Sequence, residues 1–359
     1  MSQVRIVNWL LTRKCNLKCD YCGIVKNYRG MPKQYPDMNH YIKNEMPTQV
    51  IINALKAFKI HNPEAFHILY GGEPTLRVDL PDIINYCNEN EIHYTIISNN
   101  TKQVQPMIKK LLDKVDFIQG FTSSVDPVFK GTYNVGKKRD KNQPKIDDSY
   151  VKSVVGFKRL KEMQGSGKIK DVVAEITVMR HNQHFLYQLV KELSQENIYS
   201  DITFIDISKN RYYDFSNIYE ETDLVRPTLA LADELNKIMN DDSLLVHMKE
   251  FLLPKMFDTL PSNFDCEIDR GLHNISIDAD GTIRLCLRIK GTTAPRFNVT
   301  NLFDPTYPTL IAAGVFNAIK TDKKYYCKLC NHSCLMMSQY FDNTNEKVDD
   351  LIHKDKREG

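Results

Sequence analysis

VRIVNWLLTRKCNLKCDYC (4–22) joins an apolar run to a tight group of cysteines, and that junction decides the fold. Residues 4–12 have the pattern of a buried strand, and Cys15, Cys19 and Cys22 follow it in a loop with the spacing C-x3-C-x2-C. Three thiolates so close together suit a soft metal or an iron–sulfur cluster. A [4Fe–4S] cluster normally has four protein ligands, so three would leave one iron open to an exogenous ligand. A structural zinc site of three cysteines and one histidine is the competing reading, with His40 nearby but outside compact zinc-ligand spacing. Spacing alone leaves the two open.

Beyond this loop, strand and helix patterns alternate. FHILY (66–70) is a short apolar strand ending in Gly71-Gly72, and residues 48–59 place Val50, Ile51, Ala54, Leu55 and Phe58 on one helical face. A helix over 80–91 has Asp79 at its N-cap and Pro81 in its first turn. The pattern continues with strand 94–98, helix 104–114, strand 116–124, helix 149–163, strand 171–179, helix 185–196, strand 201–207 and helix 228–240. Six such units imply a parallel sheet with crossover helices, either an open doubly wound sheet or an incomplete barrel. In both, chemistry belongs at the C-terminal ends of the strands. The cysteine loop, Gly71-Gly72-Glu73, Ser98-Asn99 and Ser124-Val125-Asp126 all fall there. After residue 245 the pattern changes to an apolar helix (245–257), a hairpin turning at Asp280-Gly281, and a closing CKLCNHSC.

Composition narrows the class further. The 359 residues carry 48 Lys and Arg against 45 Asp and Glu, and a net charge of +3 is too small to argue for a nucleic-acid or anionic-lipid partner. No apolar run approaches the roughly 20 residues needed to span a bilayer. The N-terminal residues lack a signal-peptide pattern, so a cytoplasmic protein is expected. In that compartment nine cysteines point to metal binding or catalysis rather than to disulfides. Cys87 shares a helical face with Ile83 and Ile84 and is expected in the core.

The combination of C-x3-C-x2-C after the first strand with Gly71-Gly72-Glu73-Pro74 after the second closely resembles the radical S-adenosylmethionine (SAM) superfamily. The resemblance covers roughly residues 4–245 and implies a partial (β/α)6 TIM-like barrel. It implies that Cys15, Cys19 and Cys22 hold a [4Fe–4S] cluster whose open iron is chelated by SAM, with Tyr21 beside the third cysteine. Gly71 to Pro74 match the segment that meets the methionine amino group, with Glu73 as an acceptor. Ser98 and Asn99 match a rim segment; Ser124 and Asp126 match the segment that meets the ribose; Val178 and Arg180 lie in the stretch near the adenine. Two positions depart from the family pattern, since Asn100 and Pro127 stand where glycine is usual. Asp126, Glu175, Arg180 and Tyr133 are further rim candidates.

Cys266, Cys286, Cys327 and Cys330 are similar in spacing to the SPASM and twitch extensions of this superfamily, which implies a second, auxiliary [4Fe–4S] cluster. Cys334 is left over, either replacing one of the four or acting unligated as a hydrogen or proton donor. A zinc knuckle is the competing reading. The expected division is a barrel over 1–245, a small α+β auxiliary-cluster domain over 246–340 and a polar tail over 341–359.

The resemblance implies an enzyme that reductively cleaves SAM to a 5′-deoxyadenosyl radical, which abstracts hydrogen from its substrate. Its electron donor would be of the flavodoxin or ferredoxin type. A peptide or protein side chain is the first substrate expectation. The alternatives are a small-molecule dehydrogenase or rearranging enzyme, acting on a sugar, aminocyclitol or nucleotide, and a non-catalytic metal-binding scaffold. The barrel begins within the first five residues, which weakens a reading with a fused leader-binding domain.

Overall fold

β1 (Ile6–Leu10) pairs in parallel with β2 (Phe66–Tyr70), so that Ile6 lies opposite Phe66 and Leu10 opposite Tyr70. The structure, a computed structural model, describes residues 6–17, 43–125, 157–178, 183–204, 229–247, 249, 252, 274–284 and 297–298. β3 (Tyr94–Ser98), β4 (Ile118–Val125), β5 (Ile169–Val178) and β6 (Tyr199–Phe204) add in turn, all parallel. Between them run α1 (Thr48–His61), α2 (Leu80–Glu89), α3 (Gln105–Leu112), a helix through 157–165 and α4 (Leu186–Gln195), with α5 (Leu229–Met239) after β6.

The strand order β6-β5-β4-β3-β2-β1 follows the chain without reversal. A doubly wound sheet reverses at a switch point, so of the two architectures compatible with the alternation, the partial barrel is the one formed. Register separates its two faces. Val7, Trp9, Leu69, Ile96, Phe121 and Ile176 are buried on the outer face, where the helices cover them. The helices contribute their periodic faces: Ile51, Ala54, Leu55 and Phe58 from α1, and Ile83, Ile84 and Cys87 from α2. Each large apolar side chain buried this way contributes about 1.5–3 kcal/mol. On the inner face the same strands present Asn8, Thr95, Thr122, Ser124, Glu175 and Thr177. Ile68, Ile97 and Val173 share that face, so polar side chains are interspersed with apolar ones inside the sheet.

Two features differ from the sequence expectation. Residues 245–247 do not begin a helix. Ser200 of β6 donates its N–H to Leu245 O at 2.9 Å and accepts from His247 N at 3.1 Å, so the segment pairs in parallel with the β6 edge. The unpaired donors and acceptors of an edge strand outweigh the helical periodicity there. Second, the hairpin of β7 (Asn274–Ile277) and β8 (Thr282–Arg284) continues the barrel sheet, since β7 pairs in parallel with β1. Its turn is at the expected place, with Gly281 at φ 83°. β9 (Phe297–Asn298) then pairs antiparallel with β8. Cys266, Cys286, Cys327, Cys330 and Cys334 lie outside the described residues.

Candidate functional site

The pairing of β1 with β2 does not stop where the strands end. Leu11 N donates to Tyr70 O at 2.7 Å, Gly72 N to Thr12 O at 2.7 Å and Glu73 N to Lys14 O at 2.8 Å. This ladder carries the two backbones side by side up to the residue before Cys15. A Cβ on Gly71 would sit 2.4 Å from Thr12 O, and one on Gly72 would sit 2.3 Å from Lys14 O. The glycines are therefore required by the approach of two chain segments, in addition to whatever approach a ligand makes.

Glu73 is wholly buried, and its carboxylate is filled by protein donors. Oε1 accepts from Thr75 N at 3.2 Å, Thr75 Oγ1 at 2.6 Å and Ser98 Oγ at 2.9 Å, and Oε2 accepts from Asn99 N at 2.9 Å. Burial pushes its carboxyl above the usual range, while these donors pull it back. Glu73 and Ser98 thus tie the end of β2 to the end of β3. Pro74 opens the short 3-10 turn Pro74–Leu76 that holds Thr75 in place.

Cys15 sits half-buried on this rim. Its Sγ accepts from Leu17 N at 3.3 Å and faces Asn99 Nδ2 at 3.9 Å. Two N–H groups directed at one sulfur suit a thiolate that carries charge, as a metal- or cluster-bound cysteine does. The residue types present at Cys15 therefore fit the expected cluster. Cys19, Cys22 and Tyr21 lie outside the described residues. Cys87 is a fully buried core residue whose thiol is pushed up by burial, as the sequence anticipated.

Residues that carried no sequence signal hold the base of the cysteine loop. Arg13 and Asp278 form a buried two-pronged ion pair, Nε to Oδ1 at 2.9 Å and Nη2 to Oδ2 at 2.5 Å. Glu45 accepts from Thr12 Oγ1 at 2.6 Å and from Lys14 Nζ at 3.3 Å. Arg77 donates to Leu11 O at 2.7 Å and to Met46 O at 3.0 Å. Arg77 also pairs with Asp79, so the Asp79 carboxylate serves Arg77 and Thr48 and makes no side-chain cap on α2, although it occupies the N-cap.

Ser124 lies on the inner face in register with Glu175, which is in register with Asp201. Asp201 Oδ1 is 3.3 Å from Nδ1 of His247, whose ring stacks on Tyr199 at 4.8 Å. Neither Asp201 nor His247 was distinguishable in the sequence, because the 245–247 edge pairing brings them together. The Val178 side chain is buried in the outer core, so toward the rim that position can offer only its backbone. Asn100 has φ 46°, which explains why asparagine can stand at a glycine position: it is among the residues that tolerate left-handed backbone. Asp126, Pro127, Tyr133 and Arg180 lie outside the described residues.

With this rim in place, comparison with known proteins is decisive for its class. Residues 9–150 match the family model of the Radical SAM superfamily. The chain contains a Radical SAM superfamily domain. The match runs from the end of β1 past β4 and includes Cys15, Gly71–Glu73, Ser98, Asn99 and Ser124. Fe-coproporphyrin III synthase of Methanosarcina barkeri is 29% identical over 147 residues, covering 36% of this chain and 33% of that protein. The chain spans 33–45% of the length of the curated relatives it matches. Among solved structures, Streptococcus suis SuiB bound to precursor peptide SuiA has a TM-score of 0.56 at 14% identity, over 87% of this chain and 67% of that one. Native anSMEcpe with bound AdoMet and Cp18Cys peptide has a TM-score of 0.53 at 14% identity, over 98% of this chain and 99% of that one. These two likenesses confirm the partial-barrel fold. Among the described residues no helix is long and apolar enough to cross a membrane.

Proposed function

We propose that this chain is a radical SAM enzyme that modifies a peptide or protein side chain. The observation that carries the reading is the pinning of Cys15 to the Gly71–Glu73 and Ser98–Asn99 segments within the matched domain. When bound, a [4Fe–4S] cluster and SAM supply a 5′-deoxyadenosyl radical able to take a hydrogen atom from the substrate. The chain's own share is binding, orientation and exclusion of water. Cys15, Cys19 and Cys22 would hold the cluster, with Tyr21 alongside. The backbone of Gly71, Gly72 and Glu73, with Asn99, Ser124, Asp126, Val178 and Arg180, would surround SAM. Because the Glu73 carboxylate and the Ser98 hydroxyl are spent on each other, their contribution is to hold the rim still rather than to meet the ligand by side chain.

Cys266, Cys286, Cys327 and Cys330 would hold the auxiliary cluster, with Cys334 as a replacement ligand or an unligated donor. A flavodoxin- or ferredoxin-type protein in the cytoplasm would supply electrons. Peptide substrates are supported by the two solved structures named above, which hold bound peptides and whose folds match over most of this chain. A small-molecule substrate is the second reading, favoured by curated relatives that match about a third of the chain, among them a probable GTP 3′,8-cyclase of Methanococcus maripaludis at 28% identity over 127 residues, 35% of this chain and 39% of that protein.

Metal analysis tests the cofactor part of this reading. Anaerobically reconstituted protein should hold about eight irons per chain, and replacement of Cys15, Cys19 and Cys22 together by alanine should remove about four. Stoichiometric zinc at the C-terminal cysteines would contradict the auxiliary cluster.

A further inference from the structure

We propose that Asn99 is a positioning residue for the metal centre of the cysteine loop. Its side-chain amide donates to the Cys15 sulfur and, through Asn16, holds the loop against β3, raising the reduction potential of the cluster. The inference rests on the reading of this rim as the seat of a SAM-binding cluster.

Asn99 follows the last residue of β3, and its backbone N–H, Oδ1 and Nδ2 are all engaged. The backbone N–H donates to the buried Glu73 carboxylate at 2.9 Å. Oδ1 accepts from Thr101 N at 3.2 Å and from Thr101 Oγ1 at 2.9 Å, a local turn that fixes the plane of the amide. With that plane fixed, Nδ2 directs its two hydrogens away from the turn, toward Asn16 Oδ1 at 2.8 Å and Cys15 Sγ at 3.9 Å. Sulfur, larger than oxygen, takes a donor at this greater distance. Asn16 Oδ1 lies 4.0 Å from the same sulfur, and its own amide donates to Thr101 Oγ1 at 3.1 Å and Gln103 Oε1 at 2.9 Å. The residue after Cys15 is therefore clamped to the segment between β3 and α3, and the clamp is anchored through Asn99 on Glu73.

A cluster-bound thiolate gains negative charge when the cluster takes up an electron. Hydrogen bonds to its sulfur thus stabilise the reduced form more than the oxidised one and raise the potential. The Leu17 N–H acts in the same sense, but it is backbone. Asn99 is a side chain that can be changed. Asn99→Ser keeps an oxygen for the Thr101 turn and removes both amide hydrogens. Asn16→Ala releases the clamp and leaves the Asn99 donor in place.

The test is an EPR-monitored redox titration of the reconstituted full chain, following the reduced-cluster signal that changes on addition of SAM. Asn99→Ser is expected to keep its iron and shift the potential negative, by up to about tenfold in the oxidised-to-reduced ratio, which is 59 mV for a one-electron couple. Asn16→Ala is expected to shift it less. Coincident potentials for wild type and Asn99→Ser at equal iron content would overturn the proposal, as would an Asn16→Ala shift as large as that of Asn99→Ser. Should Asn99→Ser fail to hold the cluster, wild-type chain labelled with 15N at asparagine side-chain amides decides by pulsed EPR. A 15N coupling on the SAM-sensitive signal supports the contact, and its absence refutes it. A wild-type chain with no SAM-sensitive cluster contradicts the functional reading itself, and this inference with it.

Discussion

His67 shows how much one buried side chain can reveal. It lies on the outer face of β2 at 2% exposure, with Trp9 Nε1 donating to its Nδ1 at 2.9 Å and Phe58 packed edge-on at 5.6 Å. Burial, reinforced by the charges of His93 and Lys59, lowers its pKa to about 3. The folded chain therefore keeps His67 neutral, while the unfolded chain protonates it below about pH 6.5. Its contribution to stability is complete above pH 6.5 and is lost as pH falls toward 3. Between pH 6.5 and 5, before carboxylates dominate, wild-type stability should fall by about 1 kcal/mol per pH unit more than that of His67→Leu, the slope approaching about 1.4 at the lower end. Parallel pH profiles from urea unfolding would contradict this. The short apolar run FHILY, ending at Gly71-Gly72, made the strand legible, but not the Trp9–His67 pair, which depends on register between distant segments. Glu73 is similar: its motif was legible, whereas its saturation by Thr75, Ser98 and Asn99 required the rim itself.

Among the elements, one long-range link joins the cysteine loop to the β7–β8 hairpin. Arg13 and Asp278 are 2% and 3% exposed, and Asp278 Oδ1 also accepts from Ala279 N at 2.8 Å. Removing one partner of a buried pair leaves an uncompensated charge, so Asp278→Ala should cost about 3–5 kcal/mol in denaturant unfolding. Replacing both partners, as in Arg13→Met with Asp278→Leu, should recover much of the loss. A single-variant cost below about 1 kcal/mol would show that the pair is not what joins the hairpin to β1. Strands 66–70 and 94–98 were legible to the residue because short apolar runs end at turn-forming residues. The segment 245–247 was not, since its apolar periodicity says nothing about the open β6 edge beside it. The hairpin's own turn was legible at Gly281, but its place beside β1 was not.

At the level of the molecule, sequential strand order and an apolar outer face under helices make a partial barrel, and the C-terminal ends of its strands form the rim described above. The cysteine spacing and the Gly71–Glu73 segment identified that rim from sequence, because each is a local pattern. The supports of the rim, from Arg13, Glu45, Arg77 and Asn16, were hidden because each acts across the fold. The most direct test of the central claim is anaerobic incubation of the reconstituted chain with reductant and SAM, with 5′-deoxyadenosine measured as product. The wild-type chain should release 5′-deoxyadenosine and Cys15→Ala should not. An intact cluster with no 5′-deoxyadenosine, or equal release from wild type and Cys15→Ala, would contradict the account.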